Sequence, residues 1–405
     1  MKRFVIVLSG LFLLAVVSYF VWSFRDKDLK SVPVNADAVV LIDVKAVSEQ
    51  YVLTLVKHPS LWFKKSKISG QKNGIEIPDF IQIFHLKNTS YKEWYSIFRI
   101  TDKAALLHSL KEKGFVLAKN KLYTKDQISV KVGQSSCVIG FSAKAFESRT
   151  TSILTSGMRN LHADQLINNS VASVSYLAKT KIHNFAVYLN DHDIEIKSKT
   201  TDDYFSSVIA KLDNTVSFLK ADLDAENTRK VSKIFNKNLS DSVQITNFSA
   251  VANLESVNDT IISYSYDDNF NEVEKVSYQK IVQPFYQINI QSGDSEKLWS
   301  YFQQKAWINA QNQFTPIPFQ PNTTTKNAAE ITIESKGKEV IFGEKLSGNY
   351  IFIKNNPLLL DSFKSISASE KKKIGALDFL FYGNKGEYHY LKLNFKKEKL
   401  PLIIR

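Results

Sequence analysis

The sequence predicts an α+β fold: an N-terminal transmembrane helix followed by two similar, mainly antiparallel sheet-plus-helix halves. Three observations carry that expectation. An apolar run extends from Phe4 to Phe24, strand-like and helix-like segments alternate through the rest of the chain, and a strand–Asp–helix pattern occurs twice. The expected division is a cytoplasmic tip, anchor and stalk over 1–31, a first half over 32–220 and a second half over 221–405. A chain of 405 residues exceeds most single cores, so two halves are the natural reading.

Lys2 and Arg3 precede 21 uncharged residues, Phe4 to Phe24. As a helix they would span about 31 Å at ~1.5 Å per residue, close to the ~30 Å hydrocarbon core of a bilayer. Tyr19 and Trp22 stand near the distal end, where amphipathic rings favour the interface. Two positive charges flank the near end, whereas Arg25-Asp26-Lys27-Asp28 cancels to zero. The positive-inside bias therefore places residue 1 in the cytoplasm and the bulk in the periplasm, held by a single pass of the inner membrane. The rival, a signal peptide cleaved after Ser18, is disfavoured because the apolar run continues through Trp22. No cysteine follows the run closely enough for a lipid anchor, since the only one is Cys137.

After the stalk, Ala38 to Val44 reads as a buried strand and Val47 to Lys57 as a helix, with Tyr51, Val52, Leu55 and Val56 on its apolar face. Phe80 to Leu86 and Trp94 to Ile100 are strand-like. Asp102 is positioned to cap the next helix, and Gly114 to stop it. Further strands are expected at Val171 to Leu177, Phe185 to Leu189, Ile194 to Lys197, Ile331 to Glu334 and Tyr388 to Leu393.

The duplication rests on two ordered matches. The segment from Glu93 aligns with that from Phe285, setting Asp102 on Asp294, Leu106 on Leu298, Leu110 on Phe302 and Phe115 on Trp307. The segment from Ser135, SSCVIGF, aligns with GNYIFIK from Gly348. The second copy is longer between its matched parts, and the surplus fits a loop from Asn309 to Asn327.

The opening, an anchor then VPVNADAVVLIDV and a helix, resembles single-pass membrane-anchored envelope proteins of Bacteroidota, a class of unassigned function. The resemblance covers about the first 60 residues and the strand–helix modules behind them. It implies an envelope location and brings no activity or site residue with it.

Composition narrows the partners. The net charge of +13 favours anionic partners, but the lysines are scattered as on solvated faces, and an external location argues against nucleic acid. One cysteine permits no internal disulfide, and its apolar setting marks Cys137 as a buried, passive thiol.

The chemistry-bearing clusters are weak. None of the seven histidines pairs at zinc spacing. Asp191-His192-Asp193 is a turn between two strands. Asp267-Asp268-Asn269-Phe270-Asn271 breaks the calcium-loop pattern and is expected to lead into a helix from Glu272 to Val282. No phosphate loop or nucleophile elbow is present. No catalytic or metal residue and no cofactor is expected.

Two surface hints remain. Phe314, Pro316, Ile317, Pro318, Phe319 and Pro321 could present a stiff recognition segment within the inserted loop, or simply pack it onto its own domain. Leu61 to Lys67, aromatic then basic, could lie on a membrane surface. The leading expectation is a non-enzymatic, membrane-anchored periplasmic scaffold, with the bilayer (through residues 4–24) and an unknown envelope protein as partners. A carrier or sensor of a hydrophobic ligand held between the halves is the second reading, and an unrecognised hydrolase the third.

Overall fold

A computed structural model of the protein describes residues 24–61, 73–118, 121–141, 145–167, 169–178, 181–198, 204–234, 243–317, 321–337, 340, 342–343, 345–362, 367–397 and 402–404. The chain is mainly β, with 46% strand against 24% helix, which overturns the α+β expectation. Among the described residues no helix is long and apolar enough to cross a membrane. The run from Phe4, with Tyr19 and Trp22, lies outside the described residues except for Phe24.

Two compact units form, Met1–Asp191 with Leu400–Arg405, and His192–Lys399. The dividing line expected after residue 220 falls inside a strand, Leu219–Asp224.

The first unit runs β1 (Asp28–Leu29), β2 (Ala36–Asp43), α1 (Val44–Lys57), β3 (Phe80–Leu86), β4 (Trp94–Arg99), α2 (Lys103–Glu112), β5 (Val116–Leu117), β6 (Leu122–Lys125), β7 (Ile128–Val132), β8 (Ser136–Phe141), α3 (Phe146–Thr155), β9 (Leu161–His162), β10 (Ala172–Leu177) and β11 (Ile182–Leu189). Its sheet is antiparallel throughout, in the order β11-β10-β2-β3-β4-β8-β7-β6-β5. Alternation explains β2: Val39 and Leu41 are fully buried, and the strand ends where Asp43 turns to accept the Ala46 amide at 2.8 Å and cap α1. Asp102 likewise accepts from Ala105, Leu106 and Leu110 face inward, and Gly114 ends the helix at a positive φ of 79°.

α1 departs from expectation. Val52 and Val56 are 53% and 60% exposed, so the stripe that reads as core lies largely on the surface.

Cys137 is fully buried in the smaller core of this unit, which it shares with Tyr123 and Val130, and its cross-strand neighbours are Phe98 and Val132. Burial pushes its thiol from 9.0 up to about 11. Between those values the unfolded chain gives up the proton and the folded chain keeps it. Stability is therefore expected to fall as pH rises from 9 to 11, by on the order of 2–3 kcal/mol. Denaturant titrations at pH 8 and 10.5 should show this part of the decline in the parent chain and not in Cys137→Ala. Equal declines in both would contradict it.

The second unit runs β12 (Asp193–Lys197), α4 (Ser206–Asp213), β13 (Leu219–Asp224), α5 (Ala225–Ile234), β14 (Ile245–Tyr266), β15 (Glu272–Ser292), α6 (Ser295–Gln304), β16 (Asn322–Lys326), β17 (Glu330–Ser335), β18 (Asn349–Lys354), α7 (Pro357–Ser362), α8 (Ala368–Gly375), β19 (Leu377–Lys385) and β20 (Tyr388–Phe395). Its sheet order is β12-β20-β19-β18-β13-β14-β15-β17-β16, again antiparallel. One core gathers Leu298, Phe302, Ile331 and Ile333, and a second gathers Phe205, Phe352, Phe381 and Tyr390.

The first of the two aligned pairs holds locally. β4 and β15 each close a hairpin and lead into a helix capped by Asp102 or Asp294, with Leu106 and Leu298 inward. Ala306 takes the left-handed conformation that Gly114 takes at the other helix end. The second pair does not hold. β8 lies between β4 and β7, whereas β18 lies between β13 and β19. A strand, a turn and a helix satisfy local rules wherever they occur, but their place in a sheet is set by distant partners.

The largest correction is at Glu272 to Val282, which is strand and not helix. It pairs residue for residue with β14, from Tyr266↔Glu272 through Ser256↔Val282. Cross-strand pairing with the strand that precedes it overrides the local charge spacing.

Candidate functional site

The expected recognition loop is partly built into its own unit. Phe314 packs 6.0 Å from Phe302 and 6.3 Å from Trp307. Buried Asn322 accepts the Phe314 amide at 2.6 Å and donates its own amide to the Phe314 carbonyl and the Tyr286 hydroxyl. Ile317 packs against the same core, Pro316 is half-buried and Pro321 is exposed. Pro318 and Phe319 lie outside the described residues, as does the Trp62 to Lys67 part of the aromatic-basic segment.

The feature that sequence reading missed is the hairpin of β14 and β15. Its base is woven into the sheet: β13 flanks β14 up to Ala252, and β17 flanks β15 from Gln287. Beyond those points the two strands continue as a pair, from Glu255↔Gln283 to Tyr266↔Glu272. Twelve such pairs extend about 40 Å at ~3.3 Å per residue. No other described strand pairs with this part, so the hairpin forms a two-stranded arm. From Ile261 to Lys280 every residue is exposed.

Directly opposed residues share a face, which sorts the arm into two sides. One side carries Ile262, Val276, Tyr264, Tyr266, Tyr278 and Val282, and Tyr278 is 73% exposed. The other is more polar, and there Gln279 donates to Asp259 at 3.2 Å. At the tip, Asp267 accepts the Asn269 and Asn271 amides at 2.9 and 2.8 Å, and the Asn271 bonds hold its carboxyl below the usual range. The acidic cluster that resembled a calcium loop is thus engaged in closing a turn. Phe270 sits on that turn at φ 62° and is 86% exposed. An aromatic residue in the left-handed region costs about 1–2 kcal/mol that glycine would avoid, so the tip holds an exposed ring at some expense in stability.

The arm also differs in charge. Glu255, Asp259, Asp267, Asp268, Glu272 and Glu274 face only Lys275 and Lys280, whereas the whole chain is basic.

Three other places bear on the chemistry. A cavity of about 150 Å³ on the second unit's sheet is lined by Lys220, Asp222, Asn247, Asn289, Gln291 and Tyr350. Burial lowers Lys220 and pushes Tyr350 up to about 12, yet Asn247 already donates to Asp222 at 2.8 Å and Lys220 to the Phe342 carbonyl at 3.3 Å. The cavity is smaller than the several hundred Å³ of ordinary ligand sites, and its lining mixes these polar side chains with Ala250, Val251 and Phe342. A second cavity of about 470 Å³ in the first unit is lined by Arg25, Asp43, Gln50, Asp164 and Tyr188, again polar.

The third place is buried His85. Its Nδ1 lies 2.7 Å from Asp37, and its Nε2 lies 3.1 Å from both the Ser90 carbonyl and the Thr89 hydroxyl. This resembles a nucleophile–base–acid row. The Thr89 hydroxyl, however, donates to the Leu86 carbonyl at 2.8 Å, so both ring nitrogens face acceptors. The Thr89 hydroxyl is thus committed to a backbone carbonyl, and the cluster ties the β3–β4 turn together. Among the described residues no group of three His, Cys, Asp or Glu side chains could hold a metal ion.

No family model matches the chain, no curated protein matches it, and no solved structure matches it.

Proposed function

We propose that the protein is a membrane-attached scaffold of a bacterial envelope that associates through the arm of β14 and β15. The observation that carries the association is the exposed apolar side of that arm. A lone two-stranded hairpin is marginal in water, and a long unprotected edge invites pairing. A chain that extends one about 40 Å beyond its sheet, with Ile262, Tyr264 and Tyr278 outward, carries a surface suited to strand addition. The apolar run of residues 4–24 supports attachment to a bilayer, its charge asymmetry supports a periplasmic location for the units, and the resemblance to anchored envelope proteins agrees with both.

One experiment tests location and association together. Tyr278→Cys and Val216→Cys would be introduced singly, Val216 being a 93% exposed control in the same unit. Intact cells would be treated with a thiol–amine cross-linker that does not cross the inner membrane. Both cysteines are expected to react, and only the one at 278 to form protein adducts. Failure of both to react would refute the location. Equal adducts from both, or none from 278, would refute the arm.

A further inference from the structure

We infer that the arm's partner is a second copy of this chain, joined edge to edge along β15 about a twofold axis at Ser277. This rests on the reading of the arm as the contact surface.

The two free edges of the arm are not equivalent. Over its free length β14 bears Glu255 and Asp259 and no basic residue, so no register of β14 against itself matches charges. β15 bears both signs. Antiparallel pairing of β15 with its copy, centred on Ser277, sets each Glu274 beside Lys280 of the other chain, twice by symmetry. The same register sets Val276 beside Tyr278 and Val273 beside Ile281, apolar against apolar. The pattern is self-complementary, as a closed twofold contact requires. The edge itself carries no interruption: Glu272 to Val282 contains no proline, and its pairing with β14 runs without a register shift. The result is a four-stranded sheet, β14 and β15 of one chain followed by β15 and β14 of the other. Ile262, Val276 and Tyr278 of both copies then form one apolar face. Three strands or more with an apolar face are what an isolated ribbon lacks for stability. An anionic bilayer is the wrong occupant, since the arm's six acidic residues outnumber its two lysines.

The test uses the full chain in detergent micelles or nanodiscs, followed by its mass in solution over a range of concentrations. Glu274→Lys and Lys280→Glu are both on exposed positions of the arm, so the core is not disturbed. Each alone is expected to weaken dimerisation roughly tenfold, because two attractive pairs become repulsive, and the double variant is expected to restore it. In parallel, Ser277→Cys should give a disulfide-linked dimer on mild oxidation, since directly opposed residues lie about 4.5–5.5 Å apart. Ser263→Cys, on β14, should give none, because three strand spacings separate the two copies by about 14 Å. A monomer at all concentrations, no rescue in the double variant, or linking through 263 in place of 277 would overturn the proposal. If the arm forms adducts only with a different protein, the twofold pairing fails while the arm remains the contact surface. If it forms none, both readings fail.

Discussion

Phe205→Ala is expected to destabilise the second unit by about 3–5 kcal/mol, the range for removing a large buried aromatic side chain. Phe205 is 1% exposed and leads into α4. Its ring lies 5.3 Å from Phe381, 5.7 Å from Tyr388 and 6.0 Å from Tyr390. Beneath it Gly383 leaves β19 bare, and a Cβ there would come within 2.7 Å of the ring. The ring therefore fills a slot made by the absence of a side chain, and neighbouring rings held on two strands cannot collapse into the space it leaves. For a unit of this size each kcal/mol moves the midpoint by about 2–4 °C, so calorimetry should show a transition lower by about 10 °C. A shift under about 3 °C would mean that α4 is not seated on the sheet as described. Gly383→Ala should destabilise the same unit from the other side of the contact.

The signal for α4 was present in the sequence. Phe205, Val208 and Leu212 recur at helical spacing, and all three are buried. Elements whose cause is local were legible. β3 runs from Phe80 to Leu86 as its apolar run suggests, and Asp102 and Asp294 cap their helices because a short carboxylate reaches the third amide on. What failed depends on distant partners. Glu274, Lys275, Val276 and Tyr278 carry charges and apolar residues at spacings that suit a helix, and only the presence of β14 makes them a strand. The segment from Gly348 resembles that from Ser135 at short range, yet β18 chose β13 and β19. Phe314 was open to two readings, a recognition anchor or packing onto its own unit, and Asn322 and Trp307 hold it to the unit. The arm itself was hidden because one of its two strands, Glu272 to Val282, reads as a helix when β14 is not considered.

Removing the arm separates its role in association from any role in folding. Ser256 to Val282 would be replaced by Asn-Gly, a pair that closes a two-residue hairpin between Glu255 and Gln283, whose N–H makes the turn bond that Pro284 cannot. The base of the hairpin, from Ile245 to Leu254 and from Pro284 to Ser292, keeps its neighbours β13 and β17. The deleted part contains no buried residue, and its half-buried positions, Val257, Asp259, Ile281 and Val282, lie only at its base, so it adds little to the core. The direct measurement is the sedimentation of the full and shortened chains from solubilised membranes, with their melting temperatures taken alongside. The expected result is a melting temperature within about 2 °C of the parent and complete loss of the associated species, since surface changes away from the core rarely exceed ~0.5 kcal/mol. A shortened chain that still sediments as the parent does, or one that no longer folds, would contradict the account of the arm as a surface for association.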